Sequence, residues 1–499
     1  MKHYRPWSPT QAFLLPPSPM EWLPEGHLAY FVLEVAQALD LSEIEDAIQE
    51  KDGRGERPYP PAMMVALLVY GYSVGVFSSR RLARATYEDV AFRVIAGGEH
   101  PHFTTLNEFR LQHRAALGRL FVQALRLCQK AGLVKLGHVA FDGTKVKAAA
   151  SKHKAMSHKR MLAEEQRLQS EVKALMARAD AADAQEDGRY GPGQDAEDLP
   201  AELQRRESRL ARIQEAKAAL EQEAREARAE ALREQAQGQR ERAADETVSG
   251  AERQRAATRA AKAEAEARKH HDDSEGGPGG GAGGDLPRHR VANNPDGTPK
   301  PGAQRNFTDP DSRIMVKGGE FLQGYNAQAA VDAEHQVIVA SAVTNQPTDS
   351  EHLVPMIDRV IANCGHAPAV ATADTGYFSR ENAEALAVRG VDAYLATGRK
   401  PAEVPAGCSP TPAQLAREVM AAKLKTVAGT VTYARRKAIV EPVFGLIKQA
   451  RGFRHFSLRG LEKVGAEWDF VCATHNLLKL WRHGRRPVPP APPPRPLVH

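Results

Sequence analysis

A block rich in Ala, Glu, Arg, Lys and Gln between residues 156 and 267 constrains the fold more than any other part of the chain. Apolar residues recur in it at intervals of seven, which predicts amphipathic helices packed along a coiled-coil seam. The first series is Met161, Leu168 and Leu175, and weaker pairs follow at Leu203 with Leu210 and at Ile213 with Leu220. We expect two helices, joined through the Gly/Pro/Asp-rich residues 180–200 into an antiparallel coiled-coil hairpin.

Strand patterns lie on both sides of this block, so we interpret it as an insertion into one α/β domain. A first strand is predicted before it, at residues 133–143. The strands predicted after it are 324–331 and 337–344, which form a hairpin, and then 369–373 and 392–396. Helical segments alternate with the later strands and close the chain. With the insertion removed, this order predicts a mixed sheet of RNase H-like type.

Helical spacing of apolar residues dominates the chain before the first strand, with predicted helices near 28–39, 61–77, 78–95 and 105–127. The chain therefore divides into six predicted segments. They are an all-α N-terminal domain (1–130), the first part of the α/β domain (131–155), the helical coiled-coil insertion (156–272), a flexible Gly/Pro-rich linker (273–305), the remainder of the α/β domain (306–484) and a disordered Pro-rich tail (485–499).

Charge and cysteine content narrow the class of protein. The formal net charge is +6, and residues 433–486 hold twelve Lys/Arg against four Asp/Glu, a local patch typical of phosphate-backbone contact. The four cysteines form no CxxC pair, which argues against a zinc site or a disulfide framework and suits a reducing cytoplasm. The chain begins without an apolar signal core, and its longest apolar run, residues 63–77, is too short to span a bilayer. We expect a soluble cytoplasmic protein.

Three carboxylates stand at the edges of predicted elements. Asp142 ends the first strand on a Gly-Thr turn, Asp374 ends the strand at 369–373, and Glu441 lies on a late helix. A carboxylate at the end of a buried strand is costly unless it binds a cation, pairs with one or reaches water. Hard divalent cations take oxygen ligands, and two-metal phosphoryl transfer uses carboxylates that bridge the ions. Spacing alone leaves the alternative of ordinary strand-terminating turns open.

Several short motifs accompany these acids. They are Asp-Gly-Thr at 142–144, Ser-Lys-His at 151–153, Asn-Phe-Thr-Asp-Pro at 306–310, Gln-Gly-Tyr-Asn-Ala-Gln at 323–328, Ala-Asp-Thr-Gly-Tyr at 373–377 and Val-Glu-Pro-Val-Phe-Gly at 440–445. Together they resemble bacterial insertion-sequence transposases of the DDE type, from about residue 5 to residue 482, and most closely the branch called IS eleven-eighty-two. The resemblance implies that Asp142, Asp374 and Glu441 form a catalytic triad that binds Mg²⁺, with Mn²⁺ able to substitute.

The family also carries a Tyr, Arg, Glu and Lys signature around its last acid. Lys448 matches the Lys, seven residues after Glu441, and Tyr433 is present. The position expected for Arg holds Lys437, with Arg436 one residue earlier, so either can fill that role. The other candidate DNA contacts are Arg80, Arg81 and Arg84 at a helix start, Lys145 and Lys147 after the first acid, and Arg451 near the last helix. The alternative interpretation is that these basic residues are ordinary solvated side chains that do not contact DNA.

The resemblance implies a DNA transposase that binds the terminal inverted repeats of its element, cleaves the ends and joins the 3′-hydroxyls to target DNA. Its partner is then double-stranded DNA, with no membrane, and pairing of two ends suggests a homodimer in which the coiled coil is a contact. Two alternatives remain: a metal-dependent nuclease on the same fold, and an inactive transposase-derived DNA-binding protein. Asp349, which precedes a predicted helix, is expected to be a structural N-cap.

Overall fold

The computed structural model describes residues 18, 21–50, 57–190, 201–270, 286–398 and 410–484. The predicted Pro-rich tail and the Gly-rich part of the linker at 276–284 lie outside these residues, as do residues 191–200 of the predicted hairpin connection. Within the described ranges, no single helix has the length and apolar character needed to cross a membrane. Two consecutive helices, Pro61–Val74 and Ser79–Glu88, meet that test only as a pair bent by 97°.

The N-terminal part of the chain is helical, as predicted, but its helices are shorter and more numerous. They are α1 (Leu28–Ala38), α2 (Ser42–Gln49), α3 (Pro61–Val74), α4 (Ser79–Glu88), α5 (Val90–Ala96), α6 (Phe103–Gln112) and α7 (Arg114–Lys130). The helix predicted at 78–95 is broken because Asp89 has an extended backbone and its carboxylate accepts the amides of Ala91 and Phe92. The helix predicted at 105–127 is likewise broken at His113.

The N-terminal helices share one apolar core with the rest of the chain. Helix α7 packs along the last helix, α15 (Leu461–Arg482), and Gly118 permits this approach, because a Cβ there would lie 3.3 Å from Ala466. The rings of Tyr72 in α3 and Phe470 in α15 meet edge to face, 5.0 Å apart. Buried residues from α1 to α15 form a single cluster, so the first 130 residues lie against the α/β part rather than apart from it.

A six-stranded mixed sheet forms the centre of the α/β part, as the sequence predicts. The strands of the whole chain are β1 (His138–Lys147), β2 (Ala155–Ser157), β3 (Gln304–Asn306), β4 (Arg313–Lys317), β5 (Glu320–Asp332), β6 (Ile338–Thr344), β7 (Val370–Ala373) and β8 (Asp392–Leu395). Strands β4 and β6 both pair with β5, and the order continues through β1 and β7 to β8. Strand β1 is antiparallel to β5 and parallel to β7, so Phe141 lies beside both Ala330 and Ala373.

Helices cover this sheet and position its central strand. They are α11 (Leu353–Cys364), α12 (Arg380–Val388), α13 (Pro412–Lys425), α14 (Val427–Gly445) and α15, with a π-helical turn at Leu446–Ala450 and short 3-10 turns at Lys152–Lys154 and Thr375–Tyr377. Helix α14 contacts β1, β5, β7 and β8, and it buries Val440 and Val443 there. Pro442 lies inside α14, close to the π-helical turn that follows, so the end of this helix departs from regular α geometry.

The insertion between β2 and β3 contains three helices, one more than the heptad pattern predicts. They are α8 (His158–Tyr190), α9 (Ala201–Ala244) and α10 (Gly250–Lys269). Met161 and Leu168 of α8 pack against Ile213 and Leu220 of α9, all nearly inaccessible to solvent. Helix α10 packs on the other half of α9 through small side chains, which a heptad search for large apolar residues does not detect. The heptad residues Met161, Leu168, Ile213 and Leu220 therefore form the contact between α8 and α9.

The second half of the predicted flexible linker is part of the packed structure. Val291 is buried in the same apolar cluster as Met161 and Ile213. Strand β3 pairs antiparallel with β2, with Arg305 opposite Met156. Residues 286–305 therefore differ from our expectation: they fasten the insertion to the sheet, because their few apolar side chains complete the cluster at its base.

Candidate active site

Register places the first two acids side by side. The parallel pairing of β1 with β7 ends at Phe141 opposite Ala373, so Asp142 and Asp374 are the next residues on adjacent strands. Adjacent strands lie about 4.8 Å apart, so the two carboxylates are attached to neighbouring backbone positions at the same level of the sheet. The Asp374 carboxylate accepts the Gly376 amide at 2.9 Å, and that of Asp142 accepts the Gly143 amide at 2.8 Å. The two acids therefore lie side by side, and Asp374 directly follows β7 as predicted. The strand predicted at 133–143 instead spans His138–Lys147, because residues 142–147 pair with β5, so Asp142 lies within β1 and not at its end.

Asp349 is a third carboxylate at this place, which the sequence analysis assigned a structural role. Its Oδ1 accepts hydrogen bonds from Asn326 Nδ2 at 2.6 Å and Gln328 Nε2 at 2.8 Å. A Cβ on Gly143 would lie 2.9 Å from that oxygen, and a Cβ on Gly376 3.4 Å from Oδ2. Asp349 therefore lies against both turns that carry the other acids. Asp349 is not an N-cap, because α11 begins four residues later, at Leu353, and its N-cap residue is His352.

A signal for Asp349 was present in the sequence but was not used. Asn326 and Gln328 are two residues apart on β5 and therefore point to the same face of the sheet. Both are almost fully buried. Polar side chains on a central strand need hydrogen-bond partners, and Asp349 is an acceptor in the turn that follows the next strand.

The three carboxylates influence each other electrostatically. Burial raises the pKa of Asp142 to about 6, and the nearby charges of Asp374 and Asp349 act in the same direction. The Arg436 guanidinium opposes them, with its Nη1 3.3 Å from Asp142 Oδ2. The Lys145 ammonium lies 3.5 Å from Asp349 Oδ1. Two cations of the chain itself therefore accompany the acids.

The chemistry of this donor set fits a hard divalent cation, because it consists of carboxylate oxygens from three separate segments. The buried Oδ1 of Asn326 has no hydrogen-bond partner among the described residues and would lie 2.9 Å from a Cβ on Gly143, so it is a further oxygen at the same place. The described residues contain no group of three His, Cys, Asp or Glu side chains already arranged to hold a metal ion. Asp142 and Asp349 each contact a cation of the chain instead.

Glu441 is not brought to these carboxylates. It occupies an exposed position on α14, one residue after the buried Val440. The residue of α14 that contacts Asp142 is Arg436, five positions earlier. At about 100° per residue, five positions place the two side chains roughly 140° apart around the helix axis. The structure therefore brings together Asp142, Asp374 and Asp349, whereas Glu441 is exposed on α14 and forms no side-chain hydrogen bond or ion pair with the described residues.

Comparison with known families finds two transposase domains in the chain. Residues 296–477 match the family model of the transposase DDE domain, and residues 17–112 match that of a second transposase domain, DUF772. Both matches support a DDE transposase. The first match includes the segments that carry Asp349, Asp374 and Glu441, and this class of enzyme acts on DNA. Comparison with curated proteins and with solved structures finds no significant match.

The basic residues around Glu441 divide into two groups in the transposase. Arg436 is buried, contacts Asp142, and lies with its guanidinium 5.9 Å from the ring centre of the half-buried Tyr433. Lys448 is also buried and donates to Thr144 Oγ1 and to the Lys145 carbonyl, at 2.9 Å, so it holds the end of β1. Burial lowers the pKa of Lys448 to about 7. Lys437 is exposed, which places Arg436, rather than Lys437, beside the acids.

Arg451 differs from our expectation of a DNA contact. Its side chain is buried, and its guanidinium donates to Thr474 Oγ1 at 2.8 Å and to the Val471 carbonyl at 3.3 Å. Burial lowers its pKa to about 10. Arg451 therefore joins the π-helical turn to α15, because its donors are used inside the protein.

The remaining candidate DNA contacts lie on the surface of the transposase. Arg80, Arg81 and Arg84 are all exposed on α4. The Arg80 guanidinium lies 5.0 Å from the centre of the Phe103 ring, and Arg84 pairs with Glu88 at 2.8 Å. Lys147 is exposed at the end of β1. These positions are accessible to a polyanion, in contrast to Arg451.

Proposed function

We propose that this transposase binds the terminal inverted repeats of its insertion sequence, cleaves the ends by metal-dependent hydrolysis and joins the 3′-hydroxyls to target DNA. The observation that carries the proposal is the meeting of Asp142, Asp374 and Asp349 at one edge of the sheet, beside two chain cations. Carboxylates from separate elements, held close together, suit metal-assisted phosphodiester chemistry.

The sheet supports assignment to the RNase H-like class. The order β6-β5-β1-β7-β8, with β1 antiparallel to β5 and parallel to β7, follows from the pairings of these five strands. The helical insertion between β1 and the rest of the sheet supports the IS eleven-eighty-two branch. In this proposal the catalytic domain is split by the insertion, and the exposed arginines of α4 contact the inverted repeats.

In the proposed mechanism Asp142 and Asp374 would hold Mg²⁺, or Mn²⁺ in its place, and Glu441 would complete the ligand set once DNA is bound. The bound ion supplies Lewis-acid activation of a water and of the departing oxygen. Arg436 favours the anionic form of Asp142, whose pKa burial raises to about 6. Asp349 orients Lys145 toward the scissile phosphate while itself being fixed by Asn326 and Gln328. Lys448 holds β1 in register below these groups.

Further contacts and partners belong to the same proposal. Tyr433 and Lys437 contact the phosphates near the cleaved bond, Lys147 contacts the backbone beyond it, and Glu441 joins the acids when DNA and metal are bound. The active complex is a cytoplasmic homodimer in which the insertion contributes a contact between protomers. Removing residues 176–206 retains the packed base of the insertion at Met161, Leu168, Ile213 and Leu220. Unchanged end pairing and self-association after that removal would disprove the contact.

A strand-transfer assay with precut ends of the element and Mg²⁺ tests the function directly. We expect joined product from the wild type, and none from Asp142→Asn, Asp374→Asn or Glu441→Gln. Nicked DNA without joined product would indicate a nuclease on the same fold. Equal behaviour of Asp142→Asn and the wild type in every assay would indicate a DNA-binding protein without catalysis. A Mg²⁺-dependent rise in melting temperature that Asp142→Asn abolishes would report the ion independently of activity.

A further inference from the structure

A basic groove lies between the helical insertion and the paired strands β2 and β3, outside the site described above. Its floor is apolar and includes Met156, Ile213 and Phe307. Its basic residues come from five different segments of the chain. They are Lys154, Arg160, Arg209, Arg212, Arg305 and Arg459. Among the described residues that line it, Glu215 is the acidic one, so the groove has a strong positive charge.

Some basic side chains of this groove form ion pairs or hydrogen bonds within the protein, and others do not. Arg209 pairs with Glu164 at 2.7 Å, Arg305 pairs with Glu223, and Arg459 donates to the Ala149 carbonyl at 3.0 Å. Lys154 and Arg212 are exposed and form no ion pair or side-chain hydrogen bond with any residue that the structure describes. Two unpaired cations, one before β2 and one on α9, therefore line the same groove together with four other basic side chains. An anionic ligand would lower the repulsion among these like charges.

The floor indicates how an anionic polymer would be held. Phe307 and Met156 are half-buried and pack against the cluster that contains Ile213 and Met161. Their faces are therefore occupied by the protein and are not free to stack on unpaired bases, which is how single strands are usually gripped. Cations on the walls above an apolar floor suit contact with a charged backbone, independent of base sequence.

The groove is connected to the acids through the central strand. From Asp142 to Lys147, β1 runs about 17 Å at roughly 3.3 Å per residue. The same segment continues to Lys154 on one wall of the groove, and Arg459 is fastened to it at Ala149. A duplex held at the acids and extended beyond the end of β1 would reach the groove.

We propose that this groove binds the phosphodiester backbone of duplex DNA, at a second site formed jointly by the insertion and the sheet. The inference rests on the proposed function, because it requires a DNA substrate. It assigns the insertion a role in holding DNA, in addition to a contact between protomers. It also explains why residues 286–307 pack against the base of the insertion: they fix one basic wall relative to the other.

The test uses the full-length double variant Lys154→Ala/Arg212→Ala and a duplex without the element's end sequence. Fluorescence anisotropy at several salt concentrations gives the affinity and its salt dependence. Each lost phosphate contact lowers the slope of log K against log salt by about 0.9, so two contacts lower it by about 1.8. At 0.15 M salt the same relation predicts a loss of affinity of roughly 30-fold.

The matched control is Arg242→Ala/Arg255→Ala, which removes the same charge from exposed positions on α9 and α10 outside the groove. We expect its slope to stay close to that of the wild type. Equal slopes for the groove variant and the control would overturn the inference while leaving the proposed function intact. A loss of affinity for a single-stranded oligonucleotide alone would also overturn it. Failure of the wild type to bind any duplex would instead overturn the proposed function itself.

Both variants should remain folded, because all four side chains are exposed. Equal melting temperatures for the two variants and the wild type provide the check. If the groove variant melts earlier, Lys154→Gln/Arg212→Gln removes the charges while retaining most of each side chain, and the same change in slope is expected. An unchanged slope in that folded variant would be decisive against the groove.

Discussion

Arg436 and Asp142 form an ion pair across 3.3 Å, between helix α14 and the central strand β1. Both side chains are mostly shielded, with 10% and 20% of their side-chain surface exposed. The pair joins residues almost three hundred positions apart, and it sets the charge state of the central acid. Without the guanidinium, only the hydrogen bond from the Gly143 amide would oppose the rise in the pKa of Asp142 caused by burial and the two neighbouring carboxylates. This contact therefore affects both the stability of the fold and the chemistry of the site.

Arg436→Met should make stability fall more steeply with rising pH. The folded pKa of Asp142, about 6, already lies above the ordinary value of 3.8, and loss of the cation should raise it further. An acid whose folded pKa is raised loses stability as pH rises from the unfolded to the folded pKa. The gap between variant and wild type should therefore widen above pH 6, to about 1–3 kcal/mol. Urea unfolding with EDTA at pH 5 to 8 measures it.

The control for that experiment is Lys437→Met, which removes a neighbouring charge from an exposed position on the same helix. Its unfolding free energy should follow the wild type at every pH. A similar pH-dependent gap in both variants would show that the effect arises from the general charge of α14 and not from the contact with Asp142.

Asp349→Asn should abolish most DNA cleavage while leaving the fold intact. The amide oxygen can still accept the hydrogen bonds of Asn326 and Gln328, but the charge opposite Lys145 is lost. Loss of a group that orients others at a metal site typically costs about 10- to 100-fold in activity. Single-turnover cleavage of an uncut element end measures the effect, with circular dichroism as the test of folding. Glu351→Gln, two residues away and exposed, should retain activity; equal rates for both variants would exclude a role for Asp349.

Arg451→Ala should destabilise the protein without changing how it binds DNA. Truncation removes the donor to Thr474 Oγ1 and one of the donors to the Val471 carbonyl, which keeps the Thr474 hydroxyl at 2.8 Å, and it opens a cavity beside α15. We expect the free energy of unfolding to fall by about 2–4 kcal/mol. Lys147→Ala at the exposed end of β1 should show the reverse, with unchanged stability and a salt slope lower by about 0.9. A reduced salt slope in Arg451→Ala would restore Arg451 as a DNA contact.

His475 should make the protein less stable as pH falls below about 6.5. It is buried in α15 and its Nε2 lies 3.0 Å from the Gln336 carbonyl oxygen. Burial lowers its pKa to about 3, so between that value and 6.5 the unfolded chain takes up a proton that the folded chain refuses. That uptake lowers the free energy of unfolding by about 2–3 kcal/mol between pH 6.5 and 4.5.

His475→Gln keeps a donor for Gln336 and removes this titration, so its stability should decline less over the same range. The exposed His366→Gln is the matched control and should retain the decline of the wild type. Denaturant unfolding at half-unit pH steps separates the two variants. If their curves coincide, the acid sensitivity of the fold originates elsewhere.

Local patterns in the sequence were sufficient for the broad architecture. Heptads with Met161 and Leu168 predicted the helices of the insertion, and the helical N-terminal part and the mixed sheet are as expected. The position of Asp374 directly after a strand also followed from sequence, because a strand pattern that stops at an acid fixes its position. The strand that carries Asp142 was predicted too short, because its continuation to Lys147 depends on pairing with β5. The additional helix α10 was missed because its contacts are made by alanines, which carry little periodic signal.

The tertiary structure determined which side chains from distant parts of the sequence lie in contact. The sequence alone determined that Asp142 and Asp374 lie in or next to strands and that Arg436, Lys437 and Arg451 are cations. Periodicity reports which side of an element is buried, but not what lies against that side. Register between β1 and β7, and the packing of α14 on them, placed Arg436 beside Asp142 and left Lys437 in solvent. The same packing buried Arg451 and brought Asp349 to the acids, since contacts between segments hundreds of residues apart exist only once the chain has folded.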